Sequence, residues 1–197
     1  MEKKTCLKIK IVIPCIDKDE ELAKKAAEFL KVRAGYPCDV EVVKDTEKIG
    51  WVAMHNKIFE KLEGYDYYVY GCSDYYPGRL WLAKAIIAMK NSPRKKLFAF
   101  NDGKWFGDIA TVGLINVEWG KKNYGGPLFY PGYESHYADT ELSYIAWELN
   151  VMGYHPEAML IEVDLLKHKT GQNMDDYKIW VERREKNVIF NELGEQK

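Results

Sequence analysis

The feature that most restricts this chain is an alternation of strand-like and helix-like segments between residues 7 and 92. Leu7-Lys8-Ile9-Lys10-Ile11-Val12-Ile13-Pro14 alternates and then turns continuously apolar, as a buried strand does. Pro14, which has no N–H for a ladder, is expected to end it. Asp19 to Arg33 sets Leu22, Ala26, Phe29 and Leu30 at helical spacing, with Asp17 or Asp19 as a cap and Gly35 past the end. Asp39 to Asp45 alternates again. Gly50 to Leu62 returns to helical spacing through Val52, Ile58, Phe59 and Leu62, and Tyr65 to Gly71 is rich in aromatic strand formers. Pro77-Gly78 interrupts the chain before an apolar helix over Leu80 to Met89. A βαβαβα order predicts an α/β fold with a mostly parallel sheet, helices on both faces, and ligands bound beyond the carboxyl ends of the strands.

Chemistry is therefore sought just after each strand: at Pro14, Cys15 and Asp17, at Asp45, and at Cys72-Ser73-Asp74. The second half reads differently. Strands are expected at Lys96 to Phe100, at Ala110 to Glu118 and at Ala158 to Val163. A Gly- and Tyr-rich loop runs from Tyr124 to Tyr137, and a helix from about Asp139 to Met152. Asn101-Asp102-Gly103 follows a strand where an acceptor cleft is expected, although Asp-Gly is also a plain turn signal. Asp175 to Phe190 reads as an amphipathic helix against the body. The expectation is one domain over 1–197, with a binding half over about 7–92, a second half over 93–170 and a helical tail over 171–197.

Composition narrows the function classes. With 197 residues, 47% of them hydrophobic, the chain can bury one full core, and a formal net charge of -1 supplies no field that draws it to nucleic acid. No apolar run is long enough to cross a bilayer, and Met1 to Thr5 leads straight into a strand without a signal segment, so a cytoplasmic location is expected. Cys6, Cys15, Cys38 and Cys72 have no zinc-site spacing. Glutamine occurs only at Gln172 and Gln196 while 30% of residues are charged, a bias seen in proteins from hot environments.

Neither Gly-x-Gly-x-x-Gly nor a P-loop occurs, so any phosphates need another holder. A divalent cation on a strand-end carboxylate neutralises a diphosphate without a glycine-rich loop, and Asp74 stands at that place. At this point the chain resembles family 2 of the GT-A glycosyltransferases, in order from about Lys8 to Phe190. The carriers are Ile11-Val12-Ile13-Pro14, Asp45, Met54-His55-Asn56-Lys57, Gly71-Cys72-Ser73-Asp74, Tyr137-Ala138-Asp139-Thr140-Glu141-Leu142 and the Asp175 tail. The resemblance implies a Rossmann-like GT-A fold and a hexosyltransferase-type, inverting enzyme. Its donor would be a nucleotide-diphosphate sugar, its acceptor a hydroxyl, and its cofactor a divalent cation, Mn²⁺ or Mg²⁺.

It further implies donor contacts from Pro14, Cys15, Asp17, Asp45, Asn56, Ser73 and Asp74, and metal ligands at Asp74 and His168. Asp139 is the implied base with Glu141 as fallback, and Asn101 and Asp102 stand on the acceptor side. Cys72 replaces the first acid of the family's Asp-x-Asp motif. A thiolate suits hard cations poorly, so Cys72 reads as an apolar residue. Each assignment has a plainer counterpart: a turn residue at Asp74, an N-cap at Asp139, a strand-end acid at Asp45, a solvated basic turn at His168 and core packing for most aromatics. A helix N-terminus is expected to lower the pKa of Asp139. The alternatives are a decayed nucleotide-sugar-binding module and a nucleotidyltransferase on a related fold.

Overall fold

The structure is a computed structural model that describes residues 6–163, 173–186 and 188–189. Its first half follows the expected order: β1 (Ile9–Cys15), a 3-10 turn (Asp17–Asp19), α1 (Glu20–Arg33), β2 (Asp39–Lys44), α2 (Trp51–Glu60) and β3 (Tyr67–Tyr70). Next come β4 (Tyr75–Pro77), α3 (Trp81–Asn91), β5 (Leu97–Asn101), β6 (Gly113–Asn116) and α4 (Val117–Gly120). After a 3-10 turn at Asn123–Gly125 the chain forms α5 (Ala138–Glu148), β7 (Met152–Glu162) and α6 (Met174–Glu185). The strands make one mixed sheet of order β2-β1-β3-β6-β5-β7-β4. The β1–β2, β1–β3 and β5–β7 pairs are parallel; β6 runs antiparallel to β3 and β5, and β4 antiparallel to β7.

Period-two alternation in the central strands fills both faces of this sheet. On β1, Ile9, Ile11 and Ile13 join Ala23, Leu30, Trp81, Ile86 and Phe100 on the face covered by α1 and α3. Val12 points the other way, into a cluster with Phe59, Tyr68, Tyr70, Phe129, Leu142 and Ile145 under α2 and α5. A one-residue slip of β1 would exchange these sets, so burial on both faces fixes its register.

Several expectations are corrected. Pro14 does not end β1: it pairs with Val43, and it is tolerated because the β3 ladder has already stopped at Val12↔Tyr70. Neither Ile16, the residue before the 3-10 turn, nor Asp19, the residue before α1, makes a side-chain cap, and Asp17 lies inside that turn. The strand expected over 110–118 is confined to Gly113–Asn116, where Asn116 caps α4 by accepting the Trp119 N–H at 2.9 Å. The last strand begins at Met152, six residues earlier than expected, because a register shift in its pairing with β5 absorbs the interruption at His155-Pro156-Glu157. No helix among the described residues is long and apolar enough to cross a membrane.

Candidate functional site

The ends of β1, β2 and β3 lie side by side, and the turn after β3 is the most tightly fixed of them. Gly71 donates its N–H to the Val12 carbonyl at 2.8 Å, and a Cβ at Gly71 would stand 2.8 Å from that same oxygen, so only glycine fits. The Gly71 carbonyl in turn meets the Trp51 indole N–H at 3.1 Å and His55 Nε2 at 3.2 Å. A carbonyl can only accept, so Nε2 carries the proton and Nδ1 accepts from the Tyr68 hydroxyl at 2.6 Å. Burial pushes the His55 imidazole down to about 3, which keeps the ring neutral in this role. Beyond this anchor, Asp74 is half-buried, and its carbonyl accepts the Val163 N–H at 2.7 Å. The segment from Gly71 to Asp74 is thus tied to β1 at its start and to the residue after β7 at its end. Ser73 is half-buried beside it, and Cys72 packs against the α1–α3 core.

At the end of β2, the Asp45 carboxylate is buried and accepts the N–H groups of Ile49, at 3.0 Å, and Gly50, at 2.8 Å, shaping the loop into α2. Its own N–H reaches the Cys15 carbonyl at 2.7 Å, which ties the β1 and β2 ends together. Asp17 is exposed and pairs with Lys44, as does Glu20. Asn56 is turned away from this crevice. Its amide donates to the Phe129 carbonyl at 3.0 Å and accepts the Phe129 N–H at 2.8 Å, so it clamps the Gly- and Tyr-rich loop.

Asp139 is the second residue of α5, which starts from Tyr137 in the left-handed region at φ 64°, and so is not the N-cap. A chain of contacts links it to β3. Its carbonyl accepts the Ser143 hydroxyl at 2.6 Å, Ser143 Oγ accepts the Ala110 N–H at 2.9 Å, and the Ala110 carbonyl accepts the Tyr70 hydroxyl at 2.8 Å. Tyr70 is the last residue of β3, four before Asp74. The helix start does not lower the Asp139 carboxyl as expected. Burial pushes it up to about 6, outweighing the Thr140 N–H that reaches Oδ1 at 2.8 Å.

Just before Asp139 the loop is fixed by α6. Asp176, 1% exposed, accepts the N–H groups of Glu134, Ser135 and His136 at 2.8–3.0 Å. These bonds hold the Asp176 carboxyl below the usual carboxylate range despite its burial. A Cβ at Gly50 would lie 3.5 Å from the Glu134 carbonyl oxygen, so this loop abuts the one capped by Asp45.

Glu141 is not placed to act as a base. It is wholly buried, and Tyr124, Tyr133 and both Nε and Nη2 of Arg183 donate to its two oxygens at 2.6–3.0 Å. Arg183 also lies 3.4 Å from the centroid of the Tyr130 ring. Asn101 donates to the Pro156 carbonyl at 2.8 Å, and its side-chain oxygen accepts the Gly103 N–H at 3.1 Å. Buried Asp102 accepts the N–H groups of Lys104 and Trp105 and the Thr111 hydroxyl at 2.8–2.9 Å. Both residues shape the loop after β5 rather than point into the cleft.

The strand-end positions of Cys15, Asp45, Ser73 and Asp74 are thus brought together and connected to Asp139, whereas Asn56, Glu141, Asn101 and Asp102 are engaged elsewhere. His168 lies outside the described residues, five positions past Val163. No group of three or more His, Cys, Asp or Glu side chains that could hold a metal occurs among the described residues. The one carboxylate of Asp74 fits a hard cation shared with a ligand's phosphates and water, the usual arrangement for Mg²⁺. Sequence reasoning missed Trp51, the His55 anchoring role, Asp176 and Arg183. The only signal for the last two was charge on the buried face of a helix otherwise read as amphipathic.

No family model and no curated protein matches this sequence. Solved structures do match its fold. The mannosyltransferase PcManGT from Pyrobaculum calidifontis, in complex with GDP-Man and Mn²⁺, aligns with a TM-score of 0.64 at 14% identity over 94% of this chain and 63% of its own. The catalytic domain of Drosophila β1,4-galactosyltransferase 7, in complex with xylobiose, gives 0.55 at 16% identity over 85% and 68%. Mannosyl-3-phosphoglycerate synthase from Rubrobacter xylanophilus gives 0.56 at 11% over 97% and 76%. This chain spans about two thirds to three quarters of the length of these three structures. With a seven-stranded mixed sheet flanked by helices and these neighbours, the chain has the GT-A glycosyltransferase fold.

Proposed function

We propose that this protein transfers a sugar from a nucleotide-diphosphate sugar to an acceptor hydroxyl with inversion, using Asp139 as base. The observation that carries the reading is half-buried Asp139, whose carboxyl is pushed up to about 6 and whose backbone carbonyl is joined through Ser143, Ala110 and Tyr70 to the strand end that bears Asp74. A base with a pKa near the working pH accepts a proton efficiently while remaining largely ionised. The nucleotide lies across the ends of β1 and β2, between Cys15, Asp17 and Asp45, and the diphosphate reaches Ser73 and Asp74. Asp74, with His168, would hold a divalent cation against the diphosphate. When bound, that cation offsets the charge that grows on the leaving group.

The acceptor oxygen attacks the anomeric carbon from the side opposite the diphosphate. Its proton passes to Asp139 Oδ2, because Oδ1 is engaged by Thr140. The anomeric C–O bond breaks as the new one forms, and nucleoside diphosphate departs. Because the base acts ionised, transfer rises as pH increases through about 6 and then levels off.

A panel of nucleotide sugars incubated with Mn²⁺, scored for released nucleoside diphosphate with and without hydroxyl acceptors, tests the reading. Turnover of at least one donor is expected. Asp139→Asn should lower transfer about 10²–10⁴-fold while donor binding by calorimetry persists, and Asp74→Ala should weaken donor binding chiefly in the presence of Mn²⁺. Donor binding without turnover across the panel would leave a binding module, and full activity in Asp139→Asn would remove the base assignment.

A further inference from the structure

We propose that the loop between β5 and β6 carries a saccharide subsite in which the Trp105 and Phe106 rings stack against a pyranose ring of the acceptor. The inference rests on the transferase reading and names the acceptor's chemical class.

Large aromatic side chains here are mostly buried, yet Trp105 is 47% and Phe106 62% exposed, side by side on one loop. Trp147, 49% exposed on α5, adjoins them by donating its indole N–H to the Asp108 carbonyl at 3.0 Å. The loop is not loose. Asp102 gathers the Lys104 and Trp105 N–H groups and the Thr111 hydroxyl, the Asp108 N–H returns to the Trp105 carbonyl at 2.9 Å, and Gly107 lies so close to the Tyr154 ring that a Cβ would come within 2.6 Å of it. Phe106 holds φ 47°, a left-handed conformation that costs a non-glycine residue of order 1 kcal/mol. The loop therefore keeps an apolar ring in water at a cost in both strain and hydration, which is what a preformed contact surface looks like.

The place and the chemistry select the occupant. The far end of the loop, Ala110, is bonded to Ser143, whose hydroxyl reaches the Asp139 carbonyl, and Trp147 meets the loop from the same helix that carries Asp139, so the platform adjoins the helix of the proposed base. A pyranose offers one apolar C–H face and a rim of hydroxyls. Lys104, next to Trp105 in the chain and paired with Glu162, supplies polar groups suited to such a rim. A protein partner needs on the order of 800 Å² per side, far more than these rings present.

The test uses the full chain and a panel of disaccharides: cellobiose, xylobiose, lactose, mannobiose and chitobiose. Tryptophan fluorescence and saturation-transfer NMR should show binding of at least one sugar, and Trp105→Ala should abolish the signal without moving Tm, since the residue is half exposed. In transfer assays Trp105→Ala and Phe106→Ala should each raise acceptor KM about tenfold, the equivalent of one good aromatic contact, with kcat falling far less. Sugar binding lost in Trp105→Ala but with no donor turnover would sink the transferase reading and keep the subsite. Turnover with acceptor KM unchanged in both variants, or no panel sugar bound at up to 20 mM in the fluorescence and NMR assays, would overturn the subsite alone.

Discussion

The two halves of the molecule are held together by different kinds of contact. From β1 to β3 the strands and helices alternate with short loops, and each strand end is set by neighbours in the sheet: Gly71 against Val12, Asp45 against Cys15 and its own loop. From Asn123 to Tyr137 there is almost no regular structure. That loop is held instead by buried polar side chains: Asn56 at Phe129 and Asp176 at 134–136, pairs 40–73 residues apart, and Glu141 at Tyr124 and Tyr133, with Arg183 paired to Glu141 from 42 residues away. A chain can thus build its strand ends from local periodicity. The loop that leads to Asp139 needs long-range polar contacts, because buried loop backbone has no ladder to pair with.

The largest expected effect comes from removing the cation that holds α6 to this loop. Arg183→Ala leaves the wholly buried Glu141 carboxylate with the Tyr124 and Tyr133 hydroxyls but without its cation, and breaking a buried pair by deleting one partner costs ~3–5 kcal/mol. Hydrogen exchange should then show lost protection in 124–141 and α6 before β1–β3. Uniform loss over the whole sheet would mean that the halves form one cooperative unit and the contrast between them is only descriptive.

A smaller effect is expected at the stitch between the halves. Asn56→Ala orphans the buried N–H and C=O of Phe129, at ~1–3 kcal/mol for each group left without a partner and partly relieved by relaxation. Tm should fall while the dissociation constant for a nucleotide sugar changes little. A large loss of donor affinity at unchanged Tm would restore the sequence-based reading of Asn56 as a donor contact.

The same contrast explains what could be read from the sequence. The first three strands and the helices between them were legible because Ile9, Ile11, Ile13 and Val12 sort cleanly to two faces and because Val52 and Phe59 repeat at helical spacing. β4 was missed because Tyr75-Tyr76-Pro77 reads as a turn and becomes a strand only by pairing with Glu162, Ile161 and Leu160, far along the chain. The start of β7 was hidden by Pro156. At the site, the position of Asp139 came from resemblance, but its environment did not. Nothing near Asp139 in sequence reveals that Tyr70 and Ala110 are tied to it through Ser143, so the helix N-terminus alone suggested a lowered pKa, and burial reversed the sign. Glu141 looked like a spare base for the same reason: Arg183 is 42 residues away.

The smallest effect separates burial from the helix start directly. A carboxyl raised from 3.8 to about 6 on folding retains its proton in the native state at pH values where the unfolded chain has lost it. Native stability therefore falls as pH rises through that window, and the penalty is complete above about 6. Asn carries no such proton, so Asp139→Asn should match the wild type most closely near pH 4 and exceed it at pH 7.5. The rise from 3.8 to about 6 bounds the gain at ~3 kcal/mol, and because Asp139 is only half-buried the expectation is ~1 kcal/mol. Urea melts of both proteins at the two pH values measure this as a difference of differences, which cancels the other carboxylates. A variant that is inactive and more stable at neutral pH fits a site that trades stability for a poised base. A variant destabilised at pH 7.5 would mean that the Thr140 N–H and the start of α5 stabilise the anion by more than burial penalises it. The base would then titrate near the ordinary carboxylate range, and the rise in transfer near pH 6 would have to belong to another group.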